Sequence, residues 1–413
     1  MATKTKAKSE SKATAAVNDG KWKGTFLRSA KDFKKTYQET GVVGFDLAIS
    51  NGKGLPVGGC ILMYSAPGSG KSTLCAEIAK RMLAKNEAAG IPYKCLFIDI
   101  EGGSDGLADN MGLSQYCEPE HGCRLNYMPV GSLTWNRLEE MFKAILADEP
   151  PFDNTRLVII DSLNSIQSEA QADKKKAINA GDFGSSAKDR YNLYNKYVLD
   201  MKRKGITFLF ISQQRQKQGA SQFEDQKKAA TADGDDHIVD CILKLTRSGG
   251  GNNKETKKVA VISTATGKAS NVTQQFFCNI SAPQKNRFCS GLPAVPVLVR
   301  TGVGIVNRYT MKNILLTQKL LKEGGSAQKR IYTVDDELVA YVNDANFTNN
   351  CDGKTVNQWI GLNIDAIKDF LKSKNKWTLI KEETTLDDYD DGDDVDVDAV
   401  ETEDTEDTED TEE

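Results

Sequence analysis

Apolar residues in this chain fall into compact runs of strand type that alternate with stretches of helical spacing. Cys60-Ile61-Leu62-Met63-Tyr64 is the first such run, and Thr73 to Asn86 behind it carries Leu74, Ile78 and Met82 four apart, the spacing of one buried helix face. Tyr93 to Asp99 predicts a second strand, Trp135 to Leu146 a helix broken by Pro150-Pro151, and Arg156 to Ser162 a buried strand. Arg190 to Lys204 predicts a helix in which Tyr191, Tyr194 and Tyr197, spaced by three, form either a packing face or a platform for bases. Gly205 to Ile211 reads as a fourth strand, and His237 to Leu245, Lys258 to Ser263 and Val295 to Val306 as further ones. Thr40 to Gly59, rich in glycine and with Pro56, reads as a turn-rich lead-in to the first strand. This alternation predicts an α/β fold with a mostly parallel sheet flanked by helices over residues 39–310.

Beyond residue 310 the pattern changes. Helices are expected around Ile314 to Leu321 and Ile364 to Leu371, with Trp359 and Trp377 as core, giving a small C-terminal α/β domain over residues 311–380. Residues 381–413 form an acidic tail, expected to be disordered because Glu403 to Thr411 repeats Glu-Asp-Thr and cannot bury a core. Residues 1–38 form a basic N-terminal arm. Met1 to Lys21 is polar and of low complexity, whereas Trp22 to Tyr37 interleaves bases with Trp22, Phe26, Leu27, Phe33 and Tyr37, as in a segment docking on a neighbouring subunit or on its own domain.

Charge sharpens this division. The net charge of −4 conceals an asymmetry: 19 of the 58 acids lie in Glu382 to Glu413 with no base among them, so the rest of the chain sets 39 acids against 54 bases. A basic body implies a polyanionic partner, for which an acidic tail could compete. Nine scattered cysteines do not resemble a disulfide framework, and no secretory signal or membrane-length apolar run is evident, so a soluble cytoplasmic protein with reduced thiols is expected. Cys117, His121 and Cys123 have no fourth ligand nearby and read as ordinary side chains.

The chemistry centres on Ser65-Ala66-Pro67-Gly68-Ser69-Gly70-Lys71-Ser72, between the first strand and its helix. Small residues there let backbone N–H groups wrap phosphate oxygens at a positive helix N-terminus. Ala66, Pro67, Gly68, Ser69, Gly70, Lys71, Ser72 and Thr73 are the expected ATP-binding residues, with Lys71 neutralising the β and γ phosphates and Ser72 helping to hold Mg²⁺. Ser65 stands where such loops usually begin with glycine, a modest weakening of the motif. Asp161, ending a buried strand, is the expected second metal ligand, and Glu101, just past the strand that ends at Asp99, is the candidate to deprotonate the attacking water.

Thr40-Gly41, Asp46-Leu47-Ala48, Gly54-Leu55-Pro56-Val57-Gly58, the phosphate loop, Phe97-Ile98-Asp99-Ile100-Glu101, Ile159-Ile160-Asp161-Ser162 and Phe210 to Gly219 together resemble the RecA family of recombinases. The likeness covers about residues 40 to 310 and is weaker beyond. It implies that Glu101 activates water, that Asp105 sits at the adenine-contacting position, and that Gln213 senses the γ-phosphate. It further implies that the stretches near Ser168 to Arg190 and Gly219 to Asp236 bind DNA, with Lys188, Arg190, Arg215, Lys217, Phe223, Lys227 and Lys228 as contacts. Lys268 would reach ATP from a neighbouring subunit. The second stretch also carries Glu224, Asp225, Asp233, Asp235 and Asp236, which repel phosphates. The implied activity is a DNA-dependent ATPase that forms helical filaments on single-stranded DNA, pairs it with homologous duplex and exchanges strands, with single-strand-binding or loader proteins as further expected partners. A ring-shaped helicase or motor of the same superfamily, and a RecA-like scaffold without strand exchange, are the alternatives.

Overall fold

The computed structural model describes residues 35–102, 105–172, 188–216, 227–229, 238–247, 258–262, 269–273, 275–300, 303–326 and 329–378. The expectations for the arm before Lys35, for the acidic tail and for most of the two polar stretches lie outside these residues.

Strands β1 (Cys60–Ser65), β2 (Lys94–Asp99), β3 (Leu125–Pro129), β4 (Thr155–Asp161), β5 (Thr207–Gln216), β6 (Cys241–Arg247), β7 (Gln275–Asn286), β8 (Val295–Arg300) and β9 (Gly304–Ile305) form one sheet in the order β9-β8-β7-β6-β1-β5-β4-β2-β3. The run from β6 to β3 is parallel, and β7, β8 and β9 continue it antiparallel. Alternation along each strand divides the core. Ile61, Met63, Phe97, Ile159, Leu209 and Ile211 face one apolar cluster, while Leu62, Tyr64, Ile98, Ile160, Phe208 and Phe210 face another. The first is closed by helices α1 (Val43–Ser50) and α2 (Lys71–Ala88). On the second lie α4 (Trp135–Ala147), which follows the short α3 (Asp105–Asn110), and the helical stretch ending in α5 (Leu199–Arg203). Of the three tyrosines in that stretch, Tyr194 and Tyr197 are buried, Tyr194 stacking on Phe210, and Tyr191 is half exposed, so packing claims most of the face.

Several elements differ from their sequence expectation. The lead-in contains α1, all eight residues of which are buried. Its Gly44 is needed for close approach rather than for a turn, since a Cβ there would lie 2.2 Å from Val297 Cγ1. The run expected from Val295 to Val306 splits into β8 and β9, which fold back with Val299 opposite Ile305. The helix expected from Ile314 runs instead over α6 (Asn307–Thr317), and Leu321 begins a strand. Its polar first turn hid it: Asn307 accepts from Val43 N at 3.2 Å and donates to Gly41 O at 2.6 Å, pinning the helix start to the chain entering α1. β6 begins only at Cys241, because Asp240 turns inward to accept from Cys60 N at 2.9 Å and to pair with Lys202 at 2.6 Å. Farther on, strands Leu321–Gly325, Arg330–Val334 and Cys351–Asp352 make a small antiparallel sheet, followed by α7 (Asp336–Val342), α8 (Gly353–Leu362) and α9 (Ile364–Ser373) in chain order apart from the last strand. Trp359 and Trp377 are both buried there.

Candidate nucleotide site

The parallel order places the chemistry. Strand β5 lies between β1, which leads into the phosphate loop, and β4, which ends at Asp161. At the carboxyl edge Ser65 is opposite Gln213, and Asp99 is opposite Asp161. One edge thus collects the loop, two acids and a glutamine, as expected where parallel strands end.

The phosphate loop turns through Gly68 (φ +71°) and Gly70 (φ +88°), conformations that favour glycine, and Gly70 caps α2. Ala66, Pro67 and Gly68 are exposed, Ser69 is buried and donates to Ala66 O at 2.8 Å, and Ser72 and Thr73 are half-buried in the first helical turn. Lys71 folds back, its Nζ donating to Ser65 Oγ at 3.0 Å and Ser65 O at 3.3 Å. The serine in the first loop position therefore adds a hydroxyl acceptor for the loop lysine, which a glycine could not. Burial lowers the Lys71 pKa, opposed by the charges of Asp161 and Glu101.

Ser72 Oγ donates to Asp161 Oδ2 at 2.5 Å. Burial pushes the Asp161 carboxyl up to about 6; the Ser72 hydrogen bond and Lys71 oppose this, while Glu101 and Asp99 add to it. Glu101 is exposed, and its Oε1 accepts from Ser162 Oγ at 2.8 Å and Gln213 Nε2 at 3.1 Å. Asn164 Oδ1 in turn accepts from Ser212 Oγ at 2.8 Å and from Gln213 N at 3.2 Å, tying the turn after β4 to the end of β5. Asp99 accepts from Tyr127 OH and Gly102 N, both at 3.0 Å, and so shapes the turn that presents Glu101.

The expected loop residues, Asp161, Glu101 and Gln213 therefore meet at one edge. Asp105 opens α3, and its side chain is not described. Among the expected DNA contacts, Lys188 and Arg215 are exposed, whereas Arg190 is buried with its guanidinium 5.9 Å from the Trp135 ring centre. Lys227 and Lys228 lie on a short strand that pairs with Gln216 and Arg215 of β5, with side chains not described. Lys217, Phe223 and Lys268 lie outside the described residues. Sequence reasoning assigned no role to Ser162 and missed Asn164. Ser162 adjoins Asp161 and could have been weighed with it, but nothing in spacing marks Asn164, whose place follows from the β4–β5 pairing.

The donors fit a magnesium-bound nucleoside triphosphate. A half-buried ammonium rests on its own loop's oxygens, and a hydroxyl and a carboxyl of raised pKa share a short hydrogen bond, so both pairs have partners that phosphate and Mg²⁺ can replace. Residues 50–193, from the lead-in through Asp161 and the turn after it, match a family model described as an AAA domain. No curated protein matches the chain. Fold, loop and match together point to a P-loop nucleoside triphosphatase. Among the described residues no helix is long and apolar enough to cross a membrane, and no cluster of three His, Cys, Asp or Glu residues could hold a separate metal ion.

Proposed function

We propose that this chain is an ATP-dependent DNA recombinase of the RecA type, which assembles on single-stranded DNA and promotes homologous pairing and strand exchange while hydrolysing ATP to ADP and phosphate. The observation that carries the reading is the hydrogen bond from Gln213 to Glu101. It joins the candidate water-activating carboxylate to the end of β5, the strand that continues into the polar stretch proposed to touch DNA.

Lys71 and the N-terminal amides of α2 would hold the phosphates, with Ser72 and Asp161 on Mg²⁺, which supplies charge neutralisation at the transferring phosphoryl group. Glu101 orients a water and takes its proton, and Ser162 fixes the carboxylate that does so. Any change in what Glu101 binds alters the partner of Gln213, and through Gln213 the start of the segment beyond Gln216. Nucleotide state and DNA affinity are thereby linked.

The test is ATP hydrolysis with and without single-stranded DNA, for the wild type and Glu101→Gln, with the same samples imaged. Strong DNA stimulation, lost in the variant while long DNA-bound filaments persist with ATP, supports the proposal. Closed rings, or hydrolysis indifferent to DNA, would point to a motor or a scaffold instead.

A further inference from the structure

A cavity of about 360 Å³ lies where the antiparallel edge of the sheet meets α6 and the small C-terminal sheet. Arg300, Arg308, Lys312 and Arg330 line it, against a single acid, Glu323. That acid is already taken, since it pairs with Arg330 at 2.7 Å. Lys312 rests 4.0 Å from the centre of the Tyr332 ring, which holds the ammonium at the wall without neutralising it. Neither Arg300 nor Arg308 forms an ion pair among the described residues. The adjoining positions outside those residues, Gln274, Thr301, Gly302, Ala327 and Gln328, carry no acid either.

This cavity is not part of the nucleotide site. In the β7–β8 pairing Gln275 is opposite Arg300 and Phe276 is opposite Val299. Phe276 and Val299 face the phosphate loop, each lying 3.4 Å from where a Cβ on Gly70 would be. Gln275, Leu298 and Arg300 line the cavity, on the opposite face of the same two strands.

Arg300, Arg308 and Lys312, with no acid partner among the described residues, converge on one concave space beside the Glu323–Arg330 pair and repel one another unless an anion enters. The volume suits a small ligand, and fork-shaped guanidinium groups match phosphate oxygens in pairs. We propose that this cavity is a second, non-catalytic anion site that takes two or three adjacent phosphate groups. Those groups could belong to a free oligophosphate or nucleotide, or to a nucleic-acid backbone, because the recognising chemistry is the same.

The experiment is calorimetric titration of sodium tripolyphosphate, without Mg²⁺, into the full chain carrying Lys71→Ala, which disables the phosphate loop. One binding event is expected, weakened by about tenfold or more per arginine when Arg300→Gln and Arg308→Gln are added. Arg308 is exposed, so Arg308→Glu alone should fold normally and abolish binding. No binding to the Lys71→Ala protein, or equal affinity after Arg308→Glu, would overturn the proposal. Displacement of tripolyphosphate by a short DNA duplex would make the backbone the source of the phosphates, and its failure to displace would favour the free ligand. Because the loop lysine is absent throughout, the result does not depend on whether the chain is a recombinase.

Discussion

Asp46 shows how far a single carboxyl can set the behaviour of the core. It is buried within α1, where it accepts from Thr40 N at 3.2 Å and Thr40 Oγ1 at 2.7 Å. Burial drives its pKa from 3.8 to about 7, the Thr40 hydrogen bonds opposing. The folded state therefore keeps this proton longer than the unfolded chain does. Stability from the group is fully present below about pH 4 and is lost as pH rises through about 7, a change of roughly 4 kcal/mol. Asp46→Asn keeps the oxygen that Thr40 bonds and has no proton to lose. The variant should match the wild type near pH 4 and exceed it by a few kcal/mol at pH 8 in urea unfolding; parallel pH profiles would rule out this titration. Asn164 gives a functional counterpart. Asn164→Ala removes the acceptor of Gln213 N and Ser212 Oγ, and within the proposed mechanism it should weaken DNA stimulation of hydrolysis several-fold while leaving nucleotide affinity near wild type. Equal loss of both would show a merely structural role. At this scale the meeting of Lys71, Ser72, Glu101 and Asp161 at one edge was legible from the loop motif and the strand ends, and that of Gln213 from the family resemblance alone. Asn164, and the acceptor role of Ser65, were not, because each depends on which strands and loops lie beside it.

At the scale of elements, long-range contacts between the chain entering α1 and the C-terminal helices decide what the local pattern does not. Glu39 pairs with Lys368 and, at 2.6 Å, with Lys372, both on α9. Burial would raise the Glu39 carboxyl, yet these two hydrogen-bonded lysines hold it below its ordinary value. Just beyond α9, Trp377 Nε1 donates to Gly52 O at 3.0 Å. Gly52 has φ +87°, and a Cβ there would lie 2.4 Å from that same indole nitrogen. Gly52→Ala should therefore cost roughly 2–4 kcal/mol through backbone strain and displacement of the indole. Thermal unfolding followed by tryptophan fluorescence would reveal it; an unchanged midpoint would mean that Trp377 moves aside freely. The same contacts explain the uneven legibility of the elements. The parallel strands β1, β2, β4, β5 and β6 were readable because continuous apolar runs serve a sheet covered on both faces, whereas the mostly half-buried β3, with its Asn126 and Pro129, carries no such run and was not expected. The helix α1 and the true start of α6 were not, since glycine and polar residues there are spent on close packing and on the Asn307 hydrogen bonds rather than on turns.

For the whole molecule, the governing feature is the separation of charge between a body of 54 bases and 39 acids and a final stretch, Glu382 to Glu413, holding 19 acids and no base. Within the proposed DNA-binding role, two effects of that stretch can be told apart. As a net charge it would lower attraction to any polyanion; as a competitor it would occupy the surface that DNA needs. Deleting Glu382 to Glu413 should strengthen duplex binding in either case, most at low salt, and the gain should shrink as added salt screens both tail and phosphates. The separating measurement adds the 382–413 peptide in trans to the truncated protein during a salt titration. A competitor should restore weak DNA binding at low salt and lose that power as salt rises. A peptide without effect on the truncated protein would leave only the net-charge role, and identical affinities of the full and truncated chains at every salt concentration would remove both.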